Sequence, residues 1–180
     1  MKPGSLALAL LLATVPVPLA SASMAAGSLP QIGDASVKPV TAPYGPAEGA
    51  QQAVDAAFAL ARQTGRRVLL DFGANWCPDC RIFAGVLTQP DVAPWIEKNF
   101  VVVPINVNRD KNAPRNGERY NSNADIARKY GVVIEAIPAV LVFTPDGQLV
   151  NRDDALVLGD ARSLTPQAMI NQLDKWAPPS

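Results

Sequence analysis

The sequence predicts an α/β fold in which a central mixed β-sheet carries helices on both faces. Three observations predict it. Short apolar runs suited to buried strands occur at 68–72, 100–105 and 139–143, segments of helical periodicity alternate with them, and 48% of the 180 residues are hydrophobic, enough to bury a core.

Regular structure is expected to begin near Pro46. Ala50, Ala53, Val54, Ala57, Phe58 and Ala61 recur at helical spacing, and Gly65 stands where a helix stop belongs. The run Val68-Leu69-Leu70-Asp71-Phe72 reads as a buried strand carrying one acid. Pro78 suits the first turn of a helix continuing to about Leu87, and Asp91 is placed to cap a short helix containing Trp95 and Ile96. Residues 100–105 form a second strand. A polar, turn-rich stretch follows from Asn108 to Asn123, and Ser122 with Asp125 three residues on announces a helix that stops at Gly131. Residues 139–143 and Leu149-Val150 flank Pro145-Asp146-Gly147, a strand–turn–strand signal. Thr165-Pro166 opens a last helix with Met169, Ile170, Leu173 and Trp176 on one face.

Ahead of this domain, Lys2 precedes an apolar run over residues 6–15 and the small triplet Ala20-Ser21-Ala22. That is the pattern of a secretory signal peptide, residues 1–22, with cleavage expected after Ala22; an uncleaved anchor is the alternative. The run is shorter than the roughly 20 residues a spanning helix needs, so no stable membrane insertion is expected after cleavage. Residues 23–46 are rich in Ala, Ser, Gly and Pro without a sustained period, and read as a flexible segment before a domain over 47–180. Export implies a periplasmic or otherwise extracytoplasmic location, where disulfides persist.

Sixteen Lys plus Arg balance sixteen Asp plus Glu, leaving no basic excess to neutralise phosphates, so no nucleic-acid partner is expected. The chain contains no His, which removes imidazole bases, Cys–His nucleophile pairs and imidazole metal sites together.

The only two cysteines are Cys77 and Cys80. A C-x-x-C pair serves as a redox couple, as part of a zinc site or as a structural clip. Zinc takes four N or S ligands and the chain offers two sulfurs, so no metal is expected; a copper(I) site has little thioether support. A clip over three residues closes too small a loop to stabilise much. The setting, after an apolar strand and at a helix start, favours the redox couple.

At a helix start, unbonded N–H groups and the helix macrodipole favour a thiolate on Cys77. Lowering a thiol pKa by about 1.5 units stabilises the thiolate by roughly 2 kcal/mol. Cys77 is expected to lie within reach of solvent, with Cys80 one turn later and less exposed. Pro78 stiffens the first turn. Asp79 has two readings: a charge that opposes the thiolate and makes the pair more reducing, or a first-turn acid without a redox role.

The run Leu70-Asp71-Phe72-Gly73-Ala74-Asn75-Trp76-Cys77-Pro78-Asp79-Cys80 strongly resembles the active-site segment of the thioredoxin superfamily. Residues 131–143, containing Ile137-Pro138, resemble its second signature, a loop with a cis proline before a strand. The resemblance covers roughly residues 50–176 and is nearest to exported thioredoxin-like thiol:disulfide interchange proteins. It implies a thioredoxin-like fold, Cys77 as nucleophile, Cys80 as resolving thiol, and Asp71 as a buried acid that accepts the proton of Cys80. It makes Trp76, Pro78, Ile137 and Pro138 client-binding residues, with Ile137 offering its backbone to an extended segment.

Three departures stand out. Gly73 occupies a place where thioredoxins proper usually carry a second tryptophan. The strand at Pro104-Ile105-Asn106 lacks the lysine usually near the buried acid. The 108–123 connection is longer than usual.

The activity expected is thiol–disulfide oxidoreduction on protein disulfides, mainly as a reductant, with the Cys77–Cys80 disulfide itself in place of any cofactor. The expected partners are disulfide-containing proteins and an upstream thiol/disulfide donor protein. The alternatives are an oxidase or isomerase, and a non-catalytic metal- or partner-binding module of the same fold.

Overall fold

The computed structural model describes residues 28–107, 120 and 122–179. The signal peptide expected over 1–22 lies outside the described residues, as does the 108–123 connection except for 120, 122 and 123. Five α-helices and three strands run in the order α1 (Ala50–Thr64), β1 (Arg67–Gly73), α2 (Pro78–Leu87), α3 (Ala93–Asn99), β2 (Phe100–Asn106), α4 (Ala124–Arg128), β3 (Ala139–Phe143) and α5 (Pro166–Lys175) among the described residues. Short 3-10 turns cover Arg152–Asp154 and Ala161–Ser163.

The sheet is mixed, with strand order β2-β1-β3. β1 pairs in parallel with β2 and antiparallel with β3, so that Asp71 faces Pro104 on one side and Val140 on the other. Alternation along β1 divides the core. Val68, Leu70 and Phe72 pack against Val54, Ala57 and Ala61 of α1 and Ile126 and Ala127 of α4. Leu69 packs on the opposite face with Phe83 and Val86 of α2, Trp95 and Ile96 of α3, and Met169, Ile170 and Leu173 of α5. The expected α/β sheet with helices on both faces is what the chain forms. Asp71 interrupts the apolar strand on the α2 side and is 2% exposed.

The local signals at both ends of the domain act as expected. Gly65 ends α1 with φ 73°, its N–H bonded to Ala61 O. The Thr165 side chain caps α5 by accepting from Ala168 N, with Pro166 following it.

Other boundaries differ. Asp91 does not cap α3: Val92 and Ala93 both bond Gln89 O in a preceding turn, Val92 becomes the N-cap, and Asp91 stays exposed. The Ser122/Asp125 signal is displaced by one residue. Asn123, at φ 57°, starts α4, and its side chain bonds Ala47 O and Asn106 O, tying the helix to the entrance of α1 and the end of β2.

The hairpin after β3 shrinks to one bridge between Phe143 and Leu149. Beyond it the ladder is taken over by a buried side chain. Asn151 accepts from Val142 N and donates to Val140 O, both at 2.8 Å, while Val140 N bonds Ala155 O.

Residues 28–46 are not a free lead-in. Leu29, Ile32 and Val37 pack against the α2–α3–α5 side of the core. Gln167 on α5 accepts from Ile32 N and Gly33 N and donates to Pro30 O. Arg81 on α2 exchanges two bonds with Val40, one through its backbone O and one through its guanidinium Nε. The segment reaches α2 closely enough that a Cβ on Gly85 would lie 2.5 Å from Lys38 O. Its apolar residues show no period because most of its hydrogen bonds go to other elements and few to itself.

Candidate active site

β1 ends at Gly73 and a turn closed by Cys77 N on Ala74 O delivers the chain to α2. Cys77 is the N-cap of α2 in extended conformation, and Pro78 occupies the first turn, where a missing N–H costs no helical bond. Because an N-cap side chain points back over the helix start, Cys77 Sγ accepts from Cys80 N at 3.3 Å. The Cys77 thiol also reaches Ile137 O at 3.5 Å, which joins the helix start to the loop before β3. The Ile137–Pro138 peptide in that loop is cis. Both cysteines are unbonded thiols.

These contacts split the two thiols. Cys77 is lowered to about 7, chiefly by the hydrogen bond from the Cys80 side chain, with the backbone N–H groups of Cys80 and Asp79 adding; burial and the charge of Asp79 oppose this. Cys80 is pushed well above its ordinary value by that same bond to Cys77 and by burial. The Cys77 sulfur therefore ionises far more readily than the Cys80 sulfur, which keeps its proton.

Exposure corrects one expectation. Cys77 is only 4% exposed rather than open to solvent, because Ile137, itself buried, closes over the helix start. Trp76 beside it is 54% exposed, the most exposed large hydrophobic side chain of the described residues.

Asp71 lies beneath the pair. Burial raises its carboxyl to about 7, the hydrogen bond from Tyr44 lowers it and the Cys77 charge raises it further. Tyr44 comes from the segment expected to be flexible. Its hydroxyl donates to Asp71 Oδ2 at 2.9 Å, and its backbone is held by Asn75 at both groups, Tyr44 N to Asn75 Oδ1 at 2.9 Å and Asn75 Nδ2 to Tyr44 O at 2.8 Å. A Cβ at Gly73 would overlap the Tyr44 ring and hydroxyl, so the departure at Gly73 makes room for Tyr44. Asp71 Oδ1 is buried without a hydrogen-bond partner. A cavity of about 480 Å³, lined mainly by apolar groups of α2, α3 and β2, reaches Asp71 from the side of Val40 and Pro43.

Asp79 is 7% exposed and bonded by Arg162. Sequence reasoning missed Tyr44, Asn75 and Arg162. Gly73 was the available signal for the first, since a small residue in place of a bulky one leaves a volume that some other side chain fills. No group of three or more metal-ligating side chains occurs among the described residues.

A family model described as thioredoxin-like matches residues 49–145, more than half of the chain. Thioredoxin from Buchnera aphidicola is 35% identical over 78 residues, 43% of this chain and 56% of that protein. Thiol:disulfide interchange protein DsbD 1 from Pseudomonas aeruginosa is 32% identical over 109 residues, 59% of this chain and 16% of that protein. The chain thus spans little more than half of one curated relative and a sixth of the other. The crystal structure of a disulphide isomerase from Xylella fastidiosa superposes with a TM-score of 0.64 at 31% identity, covering 74% of this chain and 95% of that one. With a cysteine pair at the start of α2, a cis proline facing it and a family match across β1, α2, β2 and β3, the chain belongs to the thioredoxin-like family.

Proposed function

We propose that the protein is a thiol–disulfide oxidoreductase that reduces disulfides in client proteins outside the cytoplasm. The observation that carries the reading is the division of labour between the sulfurs: Cys77 lowered to about 7 at the start of α2, and Cys80 held protonated behind it. The Cys77 thiolate attacks one client sulfur, the client S–S bond breaks, and one client thiolate leaves. Cys80 then gives up its proton, with Asp71 as acceptor, and attacks Cys77 Sγ. The Cys77–Cys80 bond forms, the mixed disulfide breaks and the second client thiolate departs. The client has gained two electrons and the protein has lost them. An upstream thiol donor protein restores the dithiol.

Since Cys77 is nearly covered, a client enters by displacing its contact with Ile137 O, beside the exposed ring of Trp76. Pro78 and Pro138 fix the backbone on either side of that entrance. No cofactor is needed, because the sulfur pair carries the electrons. The small-residue and apolar pattern of residues 1–22 supports export.

Cys77→Ser abolishes turnover in a disulfide-reduction assay, whereas Cys80→Ser accumulates client adducts on Cys77. A Cys80→Ser protein that traps no adduct removes the two-step mechanism. The direction of electron flow is read from the reduction potential against glutathione. Reductants and the strongest oxidants of this chemistry lie about 150 mV apart, and a value at the oxidising end removes the reductant reading.

The similarity to a disulphide isomerase favours isomerisation as a second reading. It predicts that the reduced protein reactivates a scrambled client without net consumption of thiol.

A further inference from the structure

We propose that Tyr44 is a positioning residue of the resolving step: its hydroxyl holds Oδ2 of Asp71, favours the ionised carboxylate and leaves Oδ1 to take the proton. The inference rests on the reading of Asp71 as acceptor of the Cys80 proton and adds what prepares that acceptor. Tyr44 and Asp71 are both buried, and the bond from Tyr44 Oη to Asp71 Oδ2 is 2.9 Å. Burial alone biases a carboxyl to its neutral form, which cannot accept a proton, whereas a bond donated to the carboxylate favours the charged form. With Oδ2 engaged, Oδ1, which is buried and has no partner, is the oxygen left for the incoming proton.

The hydroxyl is aimed by the chain that carries it. Tyr44 N bonds Asn75 Oδ1 at 2.9 Å, Asn75 Nδ2 bonds Tyr44 O at 2.8 Å, and Asn106 Nδ2 bonds the next carbonyl, Gly45 O, at 2.8 Å. Asn75 belongs to the turn that delivers Cys77, and Asn106 ends the strand that pairs with β1 beside Asp71. Gly73 gives the ring its place, because a Cβ there would overlap it. Filling that space takes only a ring; the bond to Asp71 takes the hydroxyl.

In the step, Cys80 S–H loses its proton to Asp71 and the Cys80 thiolate attacks Cys77 Sγ. The bond from Cys77 to the client sulfur breaks, and the client thiolate leaves. Tyr44 keeps its own proton throughout, since burial and the Asp71 charge hold it far above the ordinary phenol range. Facing Asp71 are Tyr44 from the N-terminal segment and Cys77 and Cys80 from the start of α2. Its strand neighbours Pro104 and Val140 do not titrate, and Glu97 of α3 lines the cavity that reaches it.

Two measurements on the full chain test this. Mixed rapidly with a symmetrical aromatic disulfide whose thiolate absorbs light, the reduced protein releases one thiolate on attack by Cys77 and a second on resolution by Cys80. Tyr44→Phe is expected to move the pH midpoint of the second release upward by at least about half a unit, because the bond from Tyr44 lowers Asp71. Below the midpoint the second release slows by at least about threefold, and above it the rate is regained. The first release is expected to stay within about twofold throughout. Carbon-13 NMR of the Asp71 carboxyl, assigned by its loss in Asp71→Asn, is expected to show the same upward shift without turnover. A second release at the wild-type midpoint in Tyr44→Phe overturns the inference, whether or not the carboxyl moves, and slowing in Asp71→Asn then leaves Asp71 as acceptor. Wild-type resolution in Asp71→Asn overturns the acceptor reading and the inference with it. If Tyr44→Phe does not fold, a ring-fluorinated tyrosine at position 44 keeps the shape and donates more strongly, so the midpoint is expected to fall; no fall overturns the inference.

Discussion

Arg162 holds Asp79 from two directions: its backbone N–H donates to Oδ1 at 2.9 Å, and its guanidinium Nε lies 3.0 Å from Oδ1 and 3.1 Å from Oδ2. The 3-10 turn at Ala161–Ser163 thereby reaches a residue between Cys77 and Cys80. Of the two readings of Asp79, a charge acting on Cys77 and a first-turn acid, the ion pair modifies the first, because Arg162 offsets that charge.

Arg162→Ala is expected to raise the Cys77 pKa above about 7, and Asp79→Asn to lower it, since the Asp79 charge raises it. Each change is about half a unit to one unit, read from the ultraviolet absorbance of the thiolate against pH. One unit is about 1.4 kcal/mol, or about 30 mV, so Arg162→Ala makes the pair more reducing and Asp79→Asn less so. No change in either variant removes Asp79 from the redox chemistry.

The second prediction concerns stability against pH. The Asp71 carboxyl is raised from 3.8 to about 7, so between these values the native state binds a proton that the unfolded chain has released. Stability therefore falls as pH rises from about 4 to about 7, by up to roughly 4 kcal/mol, and is flat above that window with respect to this group. Asp71→Asn is expected to flatten the fall, as measured by urea midpoints across the window. A wild-type curve that rises through the window contradicts the assignment.

Gly73→Ala is the third. The added methyl overlaps the Tyr44 ring and hydroxyl, so the variant is expected to lose about 1–3 kcal/mol. The loss is expected to be smaller in a Tyr44→Ala background, where the clashing ring is gone. Denaturant unfolding of the four proteins in the cycle checks this, and strict additivity places Tyr44 elsewhere in solution.

Gln167→Ala tests the docking of the N-terminal segment. It removes three bonds to Pro30, Ile32 and Gly33 and is expected to cost roughly 1–2 kcal/mol. Hydrogen exchange at the Ile32 and Gly33 amides should quicken more than exchange in β1. Unchanged protection at those amides shows that Gln167 does not hold the segment.

What was legible in the sequence is what short-range chemistry determines. Gly65 stops α1 and Thr165 caps α5 because each acts within its own turn. Cys77 was readable as standing at a helix start for the same reason, and it proves to be the N-cap. The strands were readable because β1 and β3 are buried on both faces, so that β3 is continuously apolar and β1 is apolar from Val68 to Phe72 except at Asp71. Tyr44 and Arg162 were not readable, since they meet Asp71 and Asp79 across 27 and 83 residues and no local pattern encodes such a meeting. Residues 28–46 looked unstructured because periodicity reports regular structure only, and a segment held by Gln167, Arg81 and Asn75 has none.

The outer margin of β3 carries a further consequence. Asn151 and Ala155 engage Val140 and Val142 there, Val150 N takes Val142 O, and Pro104 removes one donor from β2 at the far side of the sheet. The β3 border therefore offers none of the unsatisfied ladder groups on which a foreign strand zips up, so crowding at high concentration should not join copies of the protein through that edge. On the proposed function, that leaves the turn around Ile137, whose carbonyl the Cys77 thiol reaches, as the place for an incoming extended polypeptide.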